Sequence, residues 1–178
     1  MVTTGAVDTR TTSLADTGLL VLRIALGATM IQAGLIKFSD FGATVAFMES
    51  AGWRLPAVCA LMVSTAETLG GLGLLFGVLT PLAAFAVIAP MLDAWAANVS
   101  AAAFWSEPFN VPFLVAFGAA TLLFTGAGTY SVDARVFGRT SWSPRLAAGL
   151  LILAVAAAIL TWLVLNGTNP IHLTAPTR

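Results

Sequence analysis

The chain has 178 residues, of which 58% are apolar (AVILMFWYC) and 9% charged, with a formal net charge of zero and a mean hydropathy of +0.93. A soluble domain carries about 25% charged residues, so this composition excludes a water-soluble globule and leaves one domain of membrane helices with little outside the bilayer. The neutral balance gives no sign of a nucleic-acid partner; the partner that the composition implies is lipid.

Residues 1–13, rich in Thr with Asp8 and Arg10, read as a disordered tail. The apolar run that follows continues past Arg23, Gln32 and Lys37 to spanning length, which argues against a cleaved signal peptide. The expected transmembrane domain covers 14–166, with spans over 14–38, 56–79, 81–105, 109–130 and 145–165 and a polar tail over 167–178. Between the first two spans, Phe41, Val45, Met48 and Gly52 recur at helical spacing within a segment too polar to cross. That segment reads as a short amphipathic helix in the interface or as an ordinary loop. Only Thr80 and Pro81 separate the second and third spans, which predicts a tight hairpin.

Arg135, Arg139 and Arg145 flank the link between the last two spans, so the positive-inside bias puts that link and the N-terminus in the cytoplasm and the C-terminus outside. Trp53, Phe104, Trp105 and Phe109 would then form an outer aromatic belt. Cys59 is the only cysteine and His172 the only histidine. An intrachain disulfide, a pair of axial haem ligands and a Cys/His metal cluster are therefore all out of reach of one chain.

A charge at the bilayer centre costs about 2.5–3.5 kcal/mol on insertion scales, so each buried charge needs a reason. On the first span Asp16, Arg23, Met30 and Lys37 recur every seven residues with Gly27 and Gly34 between them; at 100° per residue the six share a face about 80° wide. This stripe should face the bundle interior, either to pack through its glycines or to hold a polar group. Glu67 on the second span has Gly70 and Gly71 on its side, with a Gly73/Gly77 repeat further on, and Asp93 lies near the middle of the third. Counted from each span's centre, Arg23, Glu67 and Asp93 share a depth, with Thr121 of the fourth span near it. The expectation is one cluster of these residues that also holds a proton; the alternative is a static Arg23–Glu67 pair with Asp93 bonded to backbone or water.

The runs Arg23-Ile-Ala-Leu-Gly27, Gly34-Leu-Ile-Lys37-Phe38, Glu67 through Gly77, and Gly126-Ala-Gly128-Thr-Tyr-Ser131-Val-Asp133 together resemble the DoxX family of small bacterial membrane proteins. The resemblance covers about Leu19 to Asp133. It implies an all-α integral membrane fold, a four-helix transmembrane core to which the fifth span is a C-terminal addition. Arg23, Gly34, Lys37, Glu67 and Asp133 match positions that recur in the family, Asp133 in a turn suited to capping a helix. Relatives include a subunit of a thiosulfate:quinone oxidoreductase, companions of a superoxide dismutase and a sulfurtransferase in thiol defence, and distant cargo receptors. The resulting expectation is a membrane subunit of a redox or thiol-stress assembly in the bacterial cytoplasmic membrane. Such a subunit would bind quinone or another small molecule without any covalent cofactor, beside a protein partner that carries the redox chemistry or as a homo-oligomer. The competing expectation is a non-enzymatic carrier, cargo receptor or scaffold.

Overall fold

The computed structural model describes residues 9–101 and 106–166. Seven α-helices follow one another among these residues: α1 (Thr9–Ser39), α2 (Phe41–Ser50), α3 (Pro56–Phe76), α4 (Thr80–Ser100), α5 (Val111–Thr125), α6 (Val132–Val136) and α7 (Pro144–Thr161), the last continued by a π-type turn over Trp162–Asn166. The protein is an all-α membrane bundle. Four helices are long and apolar enough to cross a bilayer, starting at Leu14, Pro56, Thr80 and Pro144, and α5 is a shorter apolar helix. Their outward faces carry large exposed apolar side chains such as Val21, Leu35, Leu69, Phe117, Ile152 and Leu163, as lipid-facing surfaces require.

Local chemistry sets the helix ends. Proline stands in the first turn of α3, α4, α5 and α7, where its missing N–H costs nothing. Asn110 and Ser143 cap α5 and α7 by accepting from Phe113 and Leu146 N–H groups. Gly77 ends α3 at a left-handed φ of 63°, a conformation that disfavours any residue with a Cβ. The hairpin link is therefore Gly77–Leu79, and Thr80 and Pro81, expected as the link, form the first turn of α4. Helix α5 is 15 residues long, about 22 Å at 1.5 Å per residue, because Asn110 starts it late and the Gly126 turn stops it early.

The segment between the first two spans does fold as a helix, α2, capped by Asp40, whose carboxylate accepts from the Ala43 N–H at 2.9 Å. Its Met48 packs with Cys59 and Ala60 of α3. Of the expected N-terminal tail, residues 9–13 belong to the first turns of α1, while residues 1–8, the tail 167–178, Phe104 and Trp105 lie outside the described residues.

Helix α1 packs on α3, α3 on α4, and α4 also on α5 and α7. The α1–α3 seam is an antiparallel backbone contact: a Cβ on Gly27 would meet the Gly71 carbonyl at 2.8 Å, and one on Gly71 would meet the Gly27 carbonyl at 2.9 Å. Gly34 faces Ser64 and Thr68 in the same way, while Gly70 and Gly73 face Val87 and Ala83 of α4. Gly77, read from sequence as part of a packing repeat, is closely packed against Ser131, Arg23 and Ala127 and is also the helix terminator.

Candidate functional site

The stripe on α1 turns inward, with Arg23 and Met30 buried and Lys37 half-buried, but its charges go to opposite ends of the bundle. Because Gly27 meets Gly71 and Gly34 meets Ser64, the residue of α1 level with Glu67 is Ile31. Arg23 lies eight residues from that level, about 12 Å along the axis. The expected meeting of Arg23 with Glu67 and Asp93 therefore does not occur.

Arg23 is 1% exposed and spends its guanidinium on four backbone carbonyls. Its Nε donates to Leu74 at 3.0 Å, Nη2 to Leu75 at 2.8 Å, and Nη1 to Ala127 at 2.9 Å and Tyr130 at 2.8 Å. Leu74 and Leu75 belong to the last turn of α3, whose carbonyls lack the regular i+4 donor, Leu74 accepting the Gly77 N–H at 3.2 Å instead, and carry the negative end of the helix dipole. A cation at that place is stabilised by oriented carbonyls and hydrogen-bonds to no carboxylate among the described residues.

Asp133 does the converse for α4. It is fully buried and accepts from the N–H of Leu79 at 2.7 Å, the N–H of Thr80 at 2.9 Å, the Thr80 hydroxyl at 2.7 Å and the Trp142 indole at 3.3 Å. It thus caps the positive end of α4 from a distant loop, while its own N–H donates to the Gly77 carbonyl at 2.8 Å. Gly126 and Gly128, at φ of 81° and 74°, bend the turn that delivers it, and Ser131 caps α6. Asp16 closes the same end by accepting from Thr129 N–H and hydroxyl.

At the other end, Lys37 reaches back along α1, as helical side chains tilt toward the N-terminus, and its Nζ lies 2.6 Å from Glu67 Oε2 and 3.4 Å from the Ala33 carbonyl. Glu67 is 3% exposed. This pair lines a cavity of about 700 Å³ shared with Asp93, whose wall is otherwise built mainly from Met, Ala, Phe and Val side chains of α1, α2, α3 and α4. The Asp93 carboxylate makes no hydrogen bond among the described residues. The wall's ionisable groups of opposite sign are thus Lys37 against Glu67 and Asp93, the charge sum expected from sequence with Lys37 in the place of Arg23.

Thr121 is a further correction. The inward face of α5 carries Val115, Ala116, Ala119 and Leu122; Thr121 points the other way, exposed, and donates to the Phe117 carbonyl. Sequence reasoning also missed two parts of the cavity. Ala157, Thr161 and Leu165 of the last helix and its turn form one wall, with Trp162 edge-on to Trp53 at 5.6 Å and Arg54 N–H bonded to the Leu165 carbonyl. Trp53, expected in an interfacial belt, therefore packs against the cavity wall. Pro90 lies inside α4 on the cavity surface, and its position three residues before Asp93 is a signal that was available in the sequence.

A family model described as DoxX matches residues 18–102. The inner membrane protein YqjF of Escherichia coli (strain K12) is 34% identical over 122 residues, 67% of this chain and 92% of that protein. The chain belongs to the DoxX family. No solved structure matches it. The DoxX match spans α1 to α4 and so contains Arg23, Lys37, Glu67 and Asp93, whereas Asp133 and the wall contributed by α7 lie beyond it. With its apolar helices and this relative, the protein is a multi-pass protein of the cytoplasmic membrane.

Proposed function

We propose that this DoxX protein is the membrane subunit of a redox or thiol-stress assembly and that its cavity binds a lipid-soluble small molecule of the quinone class. The observation that carries this reading is the cavity itself. About 700 Å³ of mostly apolar wall meets a charged corner of Lys37, Glu67 and Asp93, with Thr29, Asn98 and Thr161 as its other polar lining, the combination that suits a ring with a polar head and an apolar tail. The two carboxylates would exchange protons with the head group. Electrons would come through a partner protein, since one cysteine and one histidine give the chain no dithiol.

The positive-inside bias of Arg135, Arg139 and Arg145 supports an orientation with the Arg23 end toward the cytoplasm and the cavity toward the outer face. The cavity is bounded by the later turns of α1, the early turns of α3 and the later turns of α4 and α7, all on the side away from the Gly77 hairpin.

Equilibrium binding of a short-tailed benzoquinone to the protein in nanodiscs, with empty nanodiscs subtracted, tests the reading. Saturable one-to-one binding that Ala97→Phe abolishes by filling the cavity, with thermal stability held, is the expected result. Binding no greater than to empty nanodiscs would refute it.

A further inference from the structure

Among the described residues, the corner of the cavity around Pro90 offers more acceptors than donors; Asn98 and Thr161 line the cavity elsewhere. Lys37 directs its ammonium at Glu67 Oε2 and the Ala33 carbonyl. Glu67 Oε1 and both oxygens of Asp93 accept nothing from the described residues. A third kind of acceptor comes from the backbone. Pro90 stands inside α4 and has no N–H, so the Ala86 carbonyl loses the donor that a regular helix would supply. Ala86, Pro90 and Asp93 are three and four residues apart, which puts them on one face of the helix, and all three line the cavity. An acceptor that a ligand covers without supplying a donor is costly, and here two are grouped on one wall beside an apolar volume.

We infer that the cavity selects head groups that donate hydrogen bonds, so that of a quinone couple it holds the hydroquinone in preference to the quinone. This rests on the proposed quinone-class ligand and adds the form that is bound. A hydroquinone carries two O–H donors, which match the Asp93 carboxylate and the Ala86 carbonyl. A quinone offers only carbonyl oxygens, which would face those acceptors without a proton between them. A site whose polar groups are left unpaired by the wrong ligand discriminates far better than an apolar pocket does.

The preference is measured by binding the same short-tailed ring to the protein in nanodiscs under nitrogen, as hydroquinone, as quinone and as the hydroquinone dimethyl ether, which keeps the size and removes the donors. The expected result is hydroquinone bound about ten- to hundredfold more tightly than the other two, the range for a hydrogen bond to a charged group. Asp93→Asn, nearly isosteric, should cut that ratio about tenfold. Pro90→Ala supplies an N–H to the Ala86 carbonyl without touching a carboxylate, and should lower the ratio severalfold with thermal stability equal or higher. Equal affinities for the three ligands, or a preference that survives both substitutions, would overturn the inference while leaving a quinone-class site in place. Failure of all three ligands to bind would remove the proposed function and this inference with it.

Discussion

The two ends of the bundle hold comparable charges in opposite states of completion. At the Gly77 end, Arg23 has four carbonyl acceptors and Asp133 four donors, drawn almost wholly from helix termini and turns. At the Lys37 end, one ion pair is closed while Asp93 faces a cavity. The difference shows that a charge in hydrocarbon has two remedies. A helix end neutralises it permanently and makes it structural, whereas a cavity leaves it to be neutralised by something that arrives. A buried charge in a membrane helix is therefore a functional candidate only after helix ends have been considered as its partners.

Substitutions at the two ends should separate along that line. Arg23→Met removes the side-chain donor of four buried carbonyls, of which Leu74 keeps the Gly77 N–H, and should cost about 3–5 kcal/mol, read as loss of accumulation in the membrane or a collapse of the melting temperature in detergent. Asp133→Asn keeps one acceptor and loses the charge, so about 2 kcal/mol of stability should go, with ligand affinity in nanodiscs unchanged. Gly71→Ala forces the α1 and α3 backbones apart and should cost about 1–2 kcal/mol by thermal denaturation. At the cavity end the order inverts: Asp93→Asn should leave the stability within about 0.5 kcal/mol of wild type while binding falls. Thr121→Val, on the lipid face, should change neither quantity beyond about 0.5 kcal/mol; a loss of binding there would mean that α5 is turned differently.

Much of this was legible in the sequence, because insertion physics is written in composition. Five apolar runs gave the four long helices and the shorter α5, and seven-residue spacing put Arg23, Met30 and Lys37 on the inward face of α1. What escaped was pairing. Depth counted from span centres treats spans as equal rods, but α5 is short and α3 stops at Gly77. The α1–α3 register set by Gly27 and Gly71 offsets Arg23 from Glu67 and lets Lys37 fold back onto that carboxylate. The capping of α4 by Asp133 joins residues more than 50 positions apart, and no local pattern announces such a contact. The fifth span reads as an addition to a four-helix core, yet its Thr161 and Leu165 complete the cavity wall, a role that only packing reveals.

The contrast between a finished end and an open one is tested most directly by ligand-induced thermal shift, measured side by side on wild type, Asp133→Asn and Asp93→Asn with a short-tailed hydroquinone. At a hundred times its dissociation constant a ligand stabilises a single-site protein by about 2.7 kcal/mol. Wild type and Asp133→Asn should gain the same increment from their different starting points, and Asp93→Asn, with affinity about tenfold lower, should gain about half of it, roughly 1.4 kcal/mol. An Asp93→Asn protein that shifts as far as wild type, or an Asp133→Asn protein that folds but no longer shifts, would contradict the assignment of structure to one end and binding to the other.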